Sequence, residues 1–545
     1  MGPLSPGSVP AAARRPSVAF LLLAGLVIAA GVAVRVALLG RQSYWIDELF
    51  SVNESAGSLR NLSRTGATEV HTPFYAGLLW LWMRLGGTHE VWTRLLSTVC
   101  AITSVLVTQR GLRAVRLSQH IRWALTAATA ASGTSIVYSL ETRSYALLML
   151  GSIGLTVTTL HAGVLTLDGD DVPGRTYLAW GGWGLLSATA HLFGAVLVLG
   201  SLAVLTVLTM YRGRPGRAGR ILTWVLIAAA GCGPQLGWLL RGLSRPGFAS
   251  GTDWIQAPRG QDVWDLLTTT FASGSLIAHK DGFAWTSPAG VLGAAAMVLV
   301  AIMSGSVWPA ARAAVRKPRA PDGEPVRAPA RTATTETQAA AILLALATIV
   351  LGSVFGVSQI THIWTLRNLV IVTPALVWGV ICLAAAATRT DRGRRHVAGV
   401  AVALLGLSLV PTAAGVAHPY KTDFRGLFEY LITVRTQQPD ATFVFYRAPL
   451  PTSGTPGPTP PRGWQNASDR SGRDPDWAEL YRQARVLPTS SYPPASRPTA
   501  PEVVIFYHGV ADHYVDREAA LLAARLGTGY CRPVPIYGLI VVRCH

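Results

Sequence analysis

The sequence predicts an all-α membrane bundle of about eleven transmembrane helices, followed by a small C-terminal α/β domain. Three observations carry that prediction. Half of the 545 residues are hydrophobic and 14% are charged, against roughly 25% charged residues in soluble domains. Apolar stretches near the roughly 20 residues that cross a bilayer recur up to about residue 416. Beyond 417 the material changes to short strand-like runs, amphipathic segments and a Pro/Ser/Thr/Arg-rich stretch at about 449–500. The chain therefore divides into a membrane module, 1–416, and a tail domain, 417–545.

The expected spans lie near 18–39, 91–109, 123–140, 145–166, 177–196, 197–211, 221–240, 286–307, 339–360, 367–387 and 397–416. The first follows Arg14-Arg15 and lacks a cleavage site, so it reads as a retained helix. A formal net charge of +19 would point to nucleic acid in a soluble chain. Here the arginines lie between apolar spans, which makes them orientation signals and excludes a nucleic-acid partner. Alternate loops carry Arg110, Arg113, Arg116 and Arg122, then Arg212, Arg214, Arg217 and Arg220, then Arg312 to Arg331, then Arg389 to Arg395. Only the 168–175 loop breaks the series, with Asp168, Asp170 and Asp171. The positive-inside rule then puts the N-terminus in the cytoplasm and the C-terminal domain outside a plasma (inner) membrane. The first outer loop, 41–90, is aromatic and reads as interfacial helix; 308–336 reads as disordered.

In the tail, helix is expected over Phe424–Val434 and Arg517–Leu526, and strand over Thr442–Tyr446, Val503–Tyr507 and Ile536–Val542. Cys100, Cys232 and Cys382 fall in apolar spans as packing residues. Cys531 and Cys544 are placed to pair or to stay free in an oxidising compartment.

Five polar groups fall on the expected outer face. Asp47 and Glu48 follow the first span, where adjacent carboxylates suit either a helix N-terminus or a general base for a hydroxyl acceptor. His71-Thr72-Pro73-Phe74-Tyr75 follows in the same loop, with His71 able to donate to phosphate or to sit structurally. Glu141-Thr142-Arg143-Ser144-Tyr145 places a cation at an outer turn, with Glu141 to orient it or merely to cap. His191 and Arg367 sit at two further outer turns. An arginine such as Arg367 either snorkels or meets an anion.

Asp47-Glu48, His71-Thr72-Pro73-Phe74-Tyr75 and Glu141-Thr142-Arg143-Ser144-Tyr145, with Arg367 and Pro374 and Asp423-Phe424-Arg425, resemble a known set. They are similar to the motifs of GT-C fold glycosyltransferases, in the protein O-mannosyltransferase and aminoarabinose-transferase-like branch. Thr72 stands where that branch has proline. The resemblance covers roughly residues 18–431. It implies a polyprenyl-phosphate sugar donor, inverting transfer of a hexose or pentose, and an envelope glycan, lipid or protein acceptor. It implies Asp47 as base, Glu48 positioning base or acceptor, and Arg143 and Arg367 on the donor phosphate with His71 and His191 assisting. Tyr75, Glu141 and Tyr145 fall in the same substrate-binding motifs. No cofactor is demanded; Asp253, Asp262 and Asp265 leave room for a divalent cation. The scarcity of lysine reads as high-GC base composition and fits an actinobacterial source.

Two other classes compete. A transporter or flippase needs ionisable or helix-breaking residues at mid-span, where only Gly231, Gly233 and Pro234 gather. A silent envelope scaffold would have no use for Asp47, Glu48 and Arg143 together.

Overall fold

The computed structural model describes residues 16–56, 73–213, 216–243, 255–271, 331–388, 390–417, 421–446, 485–487, 502–506, 512–527, 530–536 and 538–544. The membrane module contains α1 (Val18–Ala37), α2 (Ile46–Ala56), α3 (Pro73–Gly86), α4 (Glu90–Gly111), α5 (Gln119–Ala131), α6 (Gly133–Ser139) and α7 (Tyr145–Asp168). It continues with α8 (Gly174–Ala190), α9 (Leu192–Arg212), α10 (Arg217–Leu243), α11 (Gly260–Phe271) and α12 (Arg331–Thr361). A 3-10 turn, Asn368–Val372, leads into α13 (Thr373–Ala386), and α14 (Asp391–Ala417) closes the module. Among the described residues eight helical stretches are long and apolar enough to cross a membrane: α1, α4, α7, α9, α10, α12, the turn with α13, and α14. The chain is thus an all-α multi-pass membrane bundle with a small α/β domain at its end. The expected span at 286–307 lies outside the described residues.

Two spans depart from expectation. The third, 123–140, is broken into α5 and α6 at Ser132. The buried Arg35 of α1 stabilises the break: its Nη1 donates to the Ala130 carbonyl at 2.6 Å and its Nη2 to Ser135 Oγ at 2.9 Å. Gly31 permits that approach, because a Cβ there would lie 2.4 Å from the Ala130 oxygen. The second is the fifth, expected to run over 177–196: its helix ends at Ala190, at the outer turn expected near His191. His191 is extended (φ −165°) and its Nδ1 accepts the Phe193 N–H at 3.3 Å, capping α9. Gly194 then turns against Ser187, whose carbonyl oxygen would lie 2.0 Å from an added Cβ. Hydropathy continues across so tight a hairpin, and His191 is the residue that marks it.

Polar contacts sort the helix ends into two sets. At one end Arg116 pairs with Asp168 and Asp170, Arg220 with Asp171, and Glu336 accepts the Ser118 N–H. The acidic 168–175 loop is therefore neutralised by arginines from neighbouring loops, which removes the anomaly in the arginine series. At the opposite end lie the α1–α2 link, the α6–α7 turn, His191, residues 362–367 and the chain after α14.

The tail domain contains α15 (Phe424–Gln437), β1 (Thr442–Tyr446), β2 (Arg485–Leu487), β3 (Glu502–Phe506), α16 (Asp512–Gly527), β4 (Cys531–Pro533) and β5 (Ile540–Cys544). The sheet order is β2-β1-β3-β5-β4, with β1 parallel to both neighbours and β5 antiparallel to β3 and β4. Alternation along β5 explains the two layers: Ile540, Val542 and Cys544 pack with α16, while Val541 joins the core that holds α15. Cys531 and Cys544 form a disulfide. β2 corrects the reading of 449–500 as loop alone; three residues on a sheet edge are too short for a periodic signal.

Candidate active site

The site is built on the N-terminus of α2. Tyr44 fixes the approach: its N–H donates to Glu90 Oε1 at 3.0 Å, and its hydroxyl meets Thr88 O at 2.8 Å and Thr93 Oγ1 at 2.6 Å. Asp47 and Glu48 then occupy the first turn, where the helix dipole favours negative charge. Glu48 also receives the Trp45 N–H at 3.4 Å, the return half of a capping box.

Glu48 is fully buried. Arg94, from the interior of α4, donates to it from Nε and Nη2, both at 2.8 Å. Lys421 Nζ lies 3.1 Å from Oε2, and the Thr142 N–H donates to Oε1 at 2.8 Å. Arg94 spends its remaining donors on the carbonyls of Leu39, Gln42 and Ser43, so all five are used. Burial alone would raise the Glu48 pKa, but Arg94 and then Lys421 outweigh it and hold the carboxyl down to about 2. Glu48 is an ionised anchor that ties α2 to α4, to the α6–α7 turn and to the tail.

Asp47, one residue earlier, faces a different set. Arg367 Nη1 donates to Asp47 Oδ2 at 2.5 Å, with the two side chains 26% and 22% exposed. Arg143 Nη1 donates to the Asp47 carbonyl at 3.1 Å and to Ser51 Oγ at 2.9 Å. The Arg367 guanidinium stands 5.9 Å from the centre of the Trp45 ring. Behind them Tyr145 packs between Tyr138 (centroids 4.9 Å) and His191 (5.8 Å). Burial first, then Arg143 and Arg367, push His191 down to about 3, so its ring is neutral at physiological pH. Since Nδ1 accepts the Phe193 N–H, the ring proton belongs on Nε2. Tyr75, in the first turn of α3, is buried, and burial raises its phenol while the charge of Arg143 opposes the shift.

Glu141, expected to orient Arg143 or to cap, acts on Arg143 through its charge and makes its ion pair elsewhere. Its ion-pair partner is Lys421, at 3.6 Å from Oε1, and its Oε2 has no hydrogen-bond partner. Burial raises its pKa; Lys421 opposes that, and Glu48 and Asp47 reinforce it. His71 lies outside the described residues, as does Asp253. Asp262 caps α11 by accepting the Arg259 N–H at 2.6 Å, and Asp265 accepts from Gln261 Nε2 at 2.8 Å. Among the described residues no three His, Cys, Asp or Glu side chains gather as metal ligands.

Asp47, Arg143, Tyr145, His191 and Arg367 thus come together from α2, the α6–α7 turn, the α8–α9 turn and the segment before the 3-10 turn. Arg94, Glu90 and Lys421 were missed by sequence reasoning. An arginine inside an apolar span was a signal for the first. Lys421, one of three lysines in the chain, carries no signal in the sequence beyond that scarcity; in the structure it is buried and pairs with Glu48 and Glu141. Arg425 completes the back wall, pairing with Glu90 while its own N–H donates to Ser43 Oγ at 2.9 Å. Chemically, the group offers a half-buried carboxylate to take a proton and two guanidinium groups with a neutral imidazole to hold an anion.

No protein-family model matches the chain, and no curated protein matches it in sequence. Two solved structures of ArnT from Cupriavidus metallidurans align with it over 97% of this chain and 98% of theirs. One is bound to undecaprenyl phosphate (TM-score 0.39, 12% identity) and the other is in the apo state (TM-score 0.39, 14% identity). A likeness at that TM-score decides nothing about chemistry, and the functional reading rests on the residues of this chain.

Proposed function

We propose that the chain is a GT-C-type glycosyltransferase that moves a sugar from a polyprenyl-phosphate donor to an envelope acceptor at the outer face of the membrane. The observation that carries this reading is Asp47 at one end of a membrane bundle, with Arg367 on its carboxylate and Arg143 on its backbone carbonyl. A donor with a polyprenyl tail keeps the tail in lipid and presents its phosphate at that level.

The chemistry follows from the positions. Asp47 takes the proton of the acceptor hydroxyl as its oxygen attacks the anomeric carbon. The bond from that carbon to the phosphate oxygen breaks, and polyprenyl phosphate leaves with the bonding pair. Arg143 and Arg367 stabilise the charge gathering on the leaving phosphate. His191, neutral with its proton on Nε2, adds a donor without adding charge. A single displacement of this kind inverts the anomeric centre. Glu48 takes no proton at neutral pH and serves by fixing the turn that carries Asp47.

The described arginine-rich stretches, 110–122, 216–220 and 390–395, belong to the opposite end, so the positive-inside rule favours the outer side for the Asp47 end and the tail domain. A hexosyl or pentosyl donor and a glycan, lipid or protein acceptor all fit the chemistry. The test offers purified protein in lipid a panel of radiolabelled polyprenyl-phosphate sugars with an envelope extract. Wild type moves label and Asp47→Asn does not. Transfer by Asp47→Asn near the wild-type rate removes Asp47 from the mechanism, and no transfer by well-folded wild type removes the reading.

A further inference from the structure

Lys421 lies four residues beyond the end of α14, in the tail, yet its side chain is 2% exposed and ends inside the site. Nζ lies 3.1 Å from Glu48 Oε2, 3.1 Å from the Leu140 carbonyl and 3.6 Å from Glu141 Oε1. One ammonium therefore joins α2, the α6–α7 turn and the tail. We infer that Lys421 is a positioning residue for Asp47, holding Glu48 and with it the helical turn that carries the base. The inference rests on the transfer reaction proposed above.

Counting charges explains the requirement. The buried cluster holds two carboxylates, Glu48 and Glu141, and two cations, Arg94 and Lys421. Arg94 is fully committed to Glu48 and to three carbonyls. Lys421 is the cation that serves both carboxylates. Without it, two buried carboxylates share one guanidinium, and one of them must bind a proton near neutral pH. The charged and titratable groups around the cluster are Asp47 and Glu48 on α2, Glu90 and Arg94 on α4, and Glu141 and Arg143 in the α6–α7 turn. Tyr44, Tyr75 on α3, Tyr138 on α6, Arg367 and Arg425 also face it.

The residue type fits the slot. Three acceptors converge from three segments, and a compact ammonium offers three rotatable donors where a planar guanidinium would not meet them all. The link to Asp47 is covalent: Glu48 is the next residue in the first turn of α2, so releasing Glu48 releases the neighbour whose carboxylate meets Arg367. Displacing a base by about 1 Å costs on the order of a hundredfold in rate.

The test compares wild type with Lys421→Met, which keeps length and removes charge. It reads kcat, donor KM, polyprenyl-phosphate affinity and melting temperature from pH 6 to 9. The expected result is a kcat at least about tenfold lower at pH 7, with polyprenyl-phosphate affinity held within about twofold. The defect shrinks as pH rises, because the shared proton leaves the Glu48 and Glu141 pair. A kcat within about twofold of wild type across the range overturns the inference. So does joint loss of affinity and thermal stability at every pH, which marks general support of the fold. A wild type that neither binds polyprenyl phosphate nor transfers sugar overturns the proposed function and this inference with it; wild-type turnover separates the two.

Discussion

In the proposed reaction the donor phosphate must compete with Asp47 for Arg367, and that competition makes a counterintuitive prediction. Asp47→Asn keeps the shape of the side chain, removes the base, and at the same time releases Arg367. The pair to be broken is a charge-assisted hydrogen bond of 2.5 Å between side chains about a quarter exposed. Such bonds contribute about 1.5–3 kcal/mol, which solvent screening at this exposure reduces to about 1–2 kcal/mol. A phosphate entering the wild-type site has to displace the carboxylate; in Asp47→Asn it does not. Polyprenyl phosphate should therefore bind the variant about 5- to 30-fold more tightly than wild type, while transfer falls by about a hundredfold or more. Equilibrium binding of labelled polyprenyl phosphate to purified protein in nanodiscs, at one fixed salt concentration, reads the effect. Unchanged or weaker binding in Asp47→Asn refutes the competition and places the phosphate away from Arg367.

Other consequences are local. Arg94→Met leaves Glu48 buried beside Lys421 alone and should destabilise the fold by about 3–5 kcal/mol, seen as lost folded yield or a depressed melting temperature. The Glu48 pKa is depressed from 4.5 to about 2, so its stabilisation is complete above 4.5 and fades as pH falls towards 2. Melting temperature should be insensitive to this group from pH 5 to 8 and drop below 4.5, and Glu48→Gln, already weakened, should lose that part of the acid drop. Gly31→Val drives a Cβ into the Ala130 carbonyl, displaces α1 from α5 and should lower stability by about 1–3 kcal/mol in the same melts. Sidedness is read with a membrane-impermeant thiol reagent on intact cells: Asp440→Cys in the tail should label at once and Ala114→Cys at the arginine-rich end only after lysis. The reverse pattern overturns the orientation.

The bundle was legible because eight of its described helical stretches are apolar runs of membrane length and because arginines mark alternate loops. The tail helices and the main strands were legible from periodicity. The turn at His191 was legible from its polar residue, but the exact helix bounds there were not: they depend on one imidazole cap and on Gly194 fitting against Ser187, neither of which alters hydropathy. The break at Ser132 depends on Arg35, which is remote in sequence. In the site, Asp47, Arg143, His191 and Arg367 stood out as polar groups at apolar boundaries. The division of labour between Asp47 and Glu48 did not, because adjacent carboxylates look alike in sequence. It is set by Arg94, 46 residues away, and Lys421, 373 residues away. Glu141 was placed with Arg143 on proximity in sequence, whereas its ion pair comes from the tail.

The central claim is that the Asp47 end of the bundle holds a polyprenyl phosphate on Arg143 and Arg367. The most direct measurement is binding of polyprenyl phosphate, beside uncharged polyprenol, to wild type and to Arg143→Gln/Arg367→Gln in nanodiscs. Wild type should prefer the phosphate by at least about tenfold, a discrimination of about 1.4 kcal/mol, and the double variant should lose that preference. Equal affinity for phosphate and alcohol in wild type, or an undiminished preference in the double variant, contradicts the account.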